Sequence, residues 1–168
     1  GKLVIEETLK LPGSLFVHVG TVAEGKLAVG DPVHLKVEEE LRQDTQRNHT
    51  ATHILHAVLR RVLGDHVKQS GSHVAPDRLR FDFTHFAALT PDEIAEIERL
   101  VNVEIRRNHD LQVHEMDLEE ALKTGAMALF EEKYGDRVRL VEIPGFSREL
   151  CGGTHTRRTG DIGLFVLV

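Results

Sequence analysis

The stretch DTQRNHTATHILHAVLRRVLG, residues 44–64, decides the fold of this chain. It contains apolar residues that recur at the spacing of one helix face: Ile54, Leu55, Val58, Leu59 and Val62. This periodicity predicts an amphipathic helix over residues 44–63. Gly64 predicts the C-terminal end of that helix, because glycine readily adopts the backbone conformations that close a helix.

Three histidines share one stripe of the predicted helix: His49, His53 and His56. Residues four apart on a helix lie one above the other, so His49 and His53 can direct two imidazoles at one ion. His56 is either a third residue of the same site or a residue that packs against the next element.

A second group of candidate ligands lies in the segment Cys151-Gly152-Gly153-Thr154-His155, which contains the only cysteine of the 168 residues. With the two helix histidines, its thiolate and imidazole would complete a nitrogen and sulfur ligand set that suits zinc. The glycines allow backbone to approach an ion closely. The alternative is a solvated pair of helix histidines and a buried free thiol without a ligand.

Residues 1–42 contain short β-rich pieces separated by turn signals. Strands are predicted at residues 2–5, 15–19 and 33–37. Turns are predicted at Pro12-Gly13, Glu24-Gly25 and Gly30-Asp31-Pro32. This pattern predicts a small β-barrel module over residues 1–42.

The sequence pattern of residues 43–168 predicts an α+β domain. Thr90-Pro91-Asp92-Glu93 marks a second helix, with a capping threonine, a proline in the first turn and a glutamate that can bond back to the cap. This helix is predicted to run to Arg107. Strands are predicted at residues 79–84, 111–116, 138–143 and 162–168, with a short helix after Asp117. The order of elements predicts an antiparallel sheet with helices packed on one face.

The composition favours a globular chain from a reducing compartment. A single cysteine excludes an internal disulfide framework, and no apolar run reaches the length of a signal segment or a membrane span. We therefore expect a cytoplasmic protein with no membrane partner. The net charge of -6 argues against non-specific coating of nucleic acid, which needs many phosphate contacts. Because the chain opens at Gly1 and closes on an apolar run, we expect a piece of a longer protein.

With both halves of the candidate site in view, the chain resembles the editing domain of alanyl-tRNA synthetase, which is shared with free-standing alanyl-tRNA deacylases. The N-terminal module is similar to the small barrel that precedes this domain in the family. Threonyl-tRNA synthetases have a related editing domain with a different cysteine segment, which is the alternative assignment. The resemblance rests on four segments: Arg47-Asn48-His49-Thr50-Ala51-Thr52-His53, Val67-Lys68-Gln69-Ser70-Gly71-Ser72, Ser147-Arg148-Glu149-Leu150-Cys151-Gly152-Gly153-Thr154-His155 and Thr159-Gly160-Asp161-Ile162-Gly163.

The resemblance implies an activity, a cofactor and partners. The activity is hydrolysis of the ester that joins serine or glycine to the terminal ribose of tRNA(Ala). The partners are the acceptor end of tRNA(Ala) and the remainder of the parent synthetase, in which a different domain would carry out ligation of alanine. The cofactor is zinc, with four implied ligands: His49, His53, Cys151 and His155.

The same resemblance implies Gln69 and Cys151 as catalytic residues, because Gln69 matches the active-site glutamine of the family. An editing site that spares alanine must recognise the serine hydroxyl by hydrogen bonding rather than by size. The substrate-binding candidates are the polar residues near the ligands in sequence: Thr50, Thr52, Ser70 and Ser72. Asp82 and His73 could accept a proton, or each could have a structural role.

Four protein ligands raise a chemical difficulty, because a catalytic zinc keeps one position open whereas a structural zinc is closed by protein. One ligand could leave, the ion could become five-coordinate, or the metal could only orient the substrate. Two other functions stay open. The chain could be a zinc-stapled module that binds the tRNA acceptor end without catalysis, or a metallohydrolase of small esters.

Overall fold

The computed structural model describes residues 1–11, 15–128 and 134–168, in two compact units, Gly1–Val37 and Glu38–Val168. The first unit contains one antiparallel hairpin of β1 (Lys2–Leu11) and β2 (Leu15–Glu24). The strands predicted at residues 2–5 and 15–19 are therefore present as parts of longer strands. The turn predicted at Pro12-Gly13 lies outside the described residues.

Residues 26–38 form no helix or strand, so the strand predicted at residues 33–37 is wrong. A strand needs a neighbour for its backbone hydrogen bonds, and the two strands described in this unit bond to each other. The turn predicted around Gly30-Asp31 is confirmed, because the Asp31 amide donates to the Ala28 carbonyl at 3.2 Å and the Ala28 amide donates to the Asp31 carboxylate at 2.8 Å. Within the described residues, the first unit contains one two-stranded sheet, and the small β-barrel stays a prediction.

The described residues of the second unit include three α-helices: α1 (Glu39–Leu63), α2 (Pro91–Arg106) and α3 (Leu118–Lys123). Helix α1 begins five residues before the predicted start, because its first turn carries Glu39 and Glu40, whose charges suit a helix N-terminus. Its predicted end is confirmed, since Gly64 has φ 116° and its amide donates to the Arg60 carbonyl at 2.9 Å. The capping box of α2 is also confirmed. None of the described helices is both long and apolar enough to cross a membrane.

In the part of this unit that the structure describes, five strands form two antiparallel sheets. Strands β3 (Gln69–Val74) and β4 (Leu79–Phe83) form a hairpin, while β5 (Gln112–Asp117), β6 (Arg137–Ile143) and β7 (Ser147–Leu150) form a sheet in the order β5-β6-β7. The predicted α+β class with antiparallel pairing is confirmed, although the strands are divided between two sheets rather than joined in one. Strands β3 and β7 were not predicted, because β3 is polar and β7 has only four residues.

The main core of the second unit lies between α1 and α2. Four of the five apolar residues that predict α1 are buried, and Val62 is partly buried against them. They pack with the following buried residues of other elements: Val67, Ile97, Val101, Ile105, Ile143 and Phe165. A smaller cluster contains Leu140 of β6 and Leu150 of β7. Strand β6 therefore contributes to both clusters and holds β7 beside α1.

The strand predicted at residues 162–168 is wrong. A short 3-10 helix (Thr159–Ile162) is followed by a segment without regular structure. The Asn102 side chain of α2 accepts a hydrogen bond from the Phe165 amide at 3.0 Å and donates one to the Phe165 carbonyl at 2.8 Å. The Leu167 amide donates to the Glu98 carboxylate at 2.7 Å. Side chains of a helix therefore bind this backbone where a neighbouring strand was expected.

We predict that Asn102→Ala lowers the free energy of unfolding by about 2–3 kcal/mol, because it leaves a buried amide and a buried carbonyl of Phe165 without partners. Urea denaturation measures the change. The control is Glu96→Ala on the same helix, where only a surface pair with Arg99 is lost and the expected change is much smaller. Equal effects of the two substitutions would contradict the prediction.

Candidate metal centre

Helix α1 supplies two of the four predicted ligands. His49 and His53 lie one turn apart, with ring centroids 5.3 Å from each other. His53 is 4% exposed and His49 is half-buried. Helix geometry therefore brings the two imidazoles together before any other element contributes.

The segment after β7 supplies the other two ligands. Cys151 Sγ lies 3.4 Å from His49 Nε2 and 3.4 Å from His155 Nε2. The His155 ring centroid is 4.3 Å from that of His49 and 4.6 Å from that of His53. The candidate ligand atoms of all four residues lie within 4.8 Å of one another, which is a group that can hold a metal ion. Three imidazoles and one thiol fit the donor preference of zinc.

Backbone contacts hold the ligand segment in place. Arg139 of β6 donates to the carbonyls of Cys151 and Gly153, and the Cys151 amide donates to the Arg139 carbonyl at 2.9 Å. The Gly153 amide donates to Cys151 Sγ at 3.4 Å. A Cβ atom at Gly153 would lie 2.0 Å from Cε1 of His49, so a side chain cannot fit there without moving the ring. Gly153 is therefore required by the close approach of backbone to a ligand.

A buried carboxylate lies behind the ligands. Glu149 of β7 is 1% exposed, with Oε2 3.1 Å from Nδ1 of His53 and Oε1 2.9 Å from Nδ1 of His56. The sequence analysis missed this residue. Glu149 could have been identified from its position two residues before Cys151 at the end of a strand, because alternate residues of a strand point to the same side. His56 lies outside the ligand group, contacts Glu149 and packs beside the Phe81 ring at 5.3 Å.

Burial keeps the three ligand imidazoles neutral. Desolvation, followed by repulsion from His53, lowers the pKa of His49 to about 4. Desolvation and the neighbouring histidines lower the pKa of His155 to about 2, and desolvation also lowers the pKa of His53. Desolvation raises the pKa of the Cys151 thiol. Neutral imidazoles are ready to bind a cation, whereas Cys151 must lose its proton to become a ligand.

The substrate-binding candidates lie in two different environments. Thr50 is fully buried, accepts from the Thr156 amide at 3.0 Å and lies 3.3 Å from Nδ1 of His155. Thr52 is 5% exposed and donates to the Asn48 carbonyl at 2.8 Å. Both hydroxyls are thus engaged within the protein.

The remaining candidates belong to the β3–β4 hairpin. Gln69 is half-buried at the start of β3 and its amide donates to the hydroxyl of Ser72 at 3.3 Å, while Ser70 and Ser72 are exposed. The possible proton acceptors also lie on this hairpin: His73 is exposed, and Asp82 accepts from Arg80 and lies close to Gly71. These residues keep polar groups accessible from outside.

The two glycines after Cys151 provide a matched test of the ligand geometry. We predict that Gly153→Ala weakens zinc binding by at least about tenfold, because the new methyl group displaces the His49 ring. Gly152→Ala is the control, since its methyl group meets nothing within 4 Å. Competition with a chromophoric chelator measures both affinities. Equal affinities for the two variants would contradict the assignment of His49 as a ligand.

The lowered histidine pKa values predict acid sensitivity of the metal-free chain. Below pH 6.5 the histidines of the unfolded chain bind protons, whereas the buried histidines of the folded chain stay neutral. The free energy of unfolding is therefore fully present above that pH and is lost as the pH falls toward 4. His155→Asn should reduce this slope by about 1.4 kcal/mol per pH unit, the contribution of one proton. Urea denaturation at several pH values measures the slope. Identical slopes for wild type and His155→Asn would refute the prediction.

Comparison with known proteins shows what the chain is similar to. The family model described as "Threonyl and Alanyl tRNA synthetase second additional domain" matches residues 138–168, which include Cys151 and His155. Over 161 residues, 96% of the chain, the sequence is 57% identical to each of the alanine–tRNA ligases of Xanthomonas axonopodis pv. citri (strain 306), Xanthomonas campestris pv. campestris (strain B100) and Xanthomonas oryzae pv. oryzae (strain PXO99A). The chain spans 18% of the length of these relatives. Nearly the whole chain is thus similar to a segment of alanine–tRNA ligases, and residues 138–168 match the second additional domain of threonyl and alanyl tRNA synthetases.

Proposed function

We propose that this chain is an editing segment that hydrolyses the ester between tRNA(Ala) and a wrongly attached serine or glycine at a zinc site. The observation that carries the proposal is the convergence of His49, His53, Cys151 and His155 in a segment that matches alanine–tRNA ligases. A pocket for alanine cannot strongly reject glycine or serine, so a second, hydrolytic site supplies the missing discrimination. Ligation, the activity in the names of the relatives, is assigned to parts of those proteins outside this segment.

The proposed site binds its ion through three imidazoles and one thiolate. When bound, zinc would polarise the ester carbonyl or lower the pKa of a water molecule. His49 and Cys151 are half-buried, whereas His53 is buried. The acceptor end of tRNA(Ala) is therefore proposed to approach from the side of His49 and Cys151.

Recognition of serine is proposed to use polar groups that are still accessible. The Gln69 amide is half-buried and the hydroxyls of Ser70 and Ser72 are exposed, which favours the β3 strand for contact with substrate. The hydroxyls of Thr50 and Thr52 form hydrogen bonds within the protein. In this proposal they affect the substrate indirectly, because they hold the ligand segment and α1 in place. Cys151 acts as a metal ligand and Gln69 as a residue that orients the substrate or the attacking water.

A second candidate function is a zinc-stapled module that binds the tRNA acceptor end without catalysis. One observation favours it: four ligand atoms already lie within 4.8 Å of one another, as in a closed structural site. The two functions differ in what removal of the metal does. A structural ion contributes its binding energy to folding, so its loss unfolds the protein, whereas loss of a catalytic ion leaves a folded and inactive chain.

The test is release of serine from Ser-tRNA(Ala), with Ala-tRNA(Ala) as control substrate. We expect selective release of serine by the zinc-loaded chain. The rate should fall on the order of 100-fold or more in Cys151→Ala, because a group that serves the transition state is lost. Circular dichroism of the variant and of the chelated wild type shows whether each remains folded.

Each outcome assigns one function. A chelated chain that is folded and inactive supports the editing enzyme. No release by a folded, zinc-loaded chain that binds tRNA supports the binding module. Equal release of serine and alanine would contradict proofreading, and release of simple esters without tRNA would indicate a small-molecule hydrolase.

A further inference from the structure

Glu149 lies between one proposed ligand and a second histidine that is not a ligand. Its carboxylate is 1% exposed, and its two oxygens contact Nδ1 of His53 at 3.1 Å and Nδ1 of His56 at 2.9 Å. We infer that Glu149 is the positioning residue of the metal centre: it fixes the orientation and tautomer of His53, and His56 in turn fixes Glu149. This inference rests on the proposed zinc site but not on the proposed hydrolysis.

The contact with Glu149 selects the tautomer of His53. An ionised carboxylate only accepts hydrogen bonds, so the contact with Glu149 requires a proton on Nδ1 of His53. The lone pair of that imidazole is then on Nε2, which is the nitrogen left for the ion. Without an acceptor behind the ring, either nitrogen could carry the proton and the ring could rotate. The carboxylate therefore selects the form of His53 that can bind metal.

The charge of the buried Glu149 carboxylate also supports the inference. A buried carboxylate is costly unless a positive charge or strong hydrogen bonds compensate it. Within the described ranges, Glu149 forms no ion pair with a lysine or an arginine, and its partners are the two imidazoles. A zinc ion held by the Cys151 thiolate would keep one positive charge, which the Glu149 carboxylate would balance. The position of Glu149 is thus suited to a cation in the cluster beside it.

His56 holds the Glu149 carboxylate from its other oxygen. This ring is 1% exposed, and within the described part of the chain its Nε2 atom has no hydrogen-bond partner. The contact of Nδ1 with Glu149 is therefore the polar contact that orients the ring, with Phe81 packed beside it. With one imidazole on each oxygen, the carboxylate group cannot rotate freely. His53 and His56 are three residues apart on α1, so the helix presents both to the same carboxylate on β7.

The test compares Glu149→Gln with a matched change at a second buried glutamate. Glu149→Gln keeps the shape of the side chain but loses its charge and one acceptor oxygen. We expect zinc affinity to fall by roughly 10- to 100-fold and the cobalt(II) spectrum to change, since cobalt reports ligand geometry. The control is Glu104→Gln, because Glu104 is also 1% exposed but pairs with Arg107 on α2, away from the ligand group. It should bind zinc and cobalt as wild type does, whatever its effect on stability.

Substitutions of His56 test the second step. His56→Leu removes the donor to Glu149 and should weaken zinc binding by a smaller factor than Glu149→Gln does. His56→Asn places an amide donor near the position of Nδ1 and should restore part of the affinity. A simple structural role of His56 would show the opposite pattern, in which the apolar leucine is tolerated and the asparagine is not.

The outcomes separate this inference from the proposed function. If the folded wild type binds neither zinc nor cobalt, the metal site itself is refuted. If wild type binds zinc and Glu149→Gln binds it equally well with the same cobalt spectrum, the inference is overturned while the metal site stands. Loss of affinity in Glu149→Gln supports the inference even when neither protein releases serine from tRNA.

Discussion

The burial of helix α1 on two sides is the constraint on which the rest of the structure depends. All residues from Thr50 to His56 are buried, although only part of that run is apolar. One side of the helix packs in the core with α2. The other side carries histidines and threonines, and buried polar groups of this kind must find hydrogen-bond partners. The segment from Glu149 to Thr156 supplies partners for Thr50, His53 and His56, so the candidate metal centre also satisfies most of the polar side of the central helix.

The packing of α1 connects the candidate metal centre to strands β6 and β7. Strand β6 contributes Ile143 to the core below α1, and its Arg139 side chain holds the carbonyls of the ligand segment. Strand β7 pairs with β6 and places Glu149 against α1. A change in the packing of β6 would therefore move Cys151 relative to His49, although neither residue belongs to that strand. Precision at the ligands comes from rigid elements on both sides rather than from the loop itself.

Part of the structure near the ligands, above all helix α1, could be predicted from the sequence because its signals are local, whereas strands β3 and β7 could not. The helical period of α1, the capping box of Thr90 and the helix end at Gly64 each depend on residues that are neighbours in sequence. The ligand pairs are equally local, since each is a four-residue spacing. The failures involve contacts between distant segments. Residues 162–168 have a strand-like pattern, but Asn102 binds their backbone, and nothing near Phe165 in sequence indicates that side chain. Glu149 was missed for the same reason, because its two partners lie on a helix far away in the chain.

The core also bears on whether a bound ion would serve folding or chemistry. Small domains that need zinc to fold lack a core of their own, so the binding energy of the metal replaces the missing burial. Here α1 and α2 enclose fully buried residues such as Ile54, Ile97 and Val101, none of which is a candidate ligand. The hydrophobic contribution of these side chains, about 1.5–3 kcal/mol each, is present with or without an ion. A metal that the fold does not need for its core is free to serve the substrate, and this favours the hydrolytic function over the structural staple.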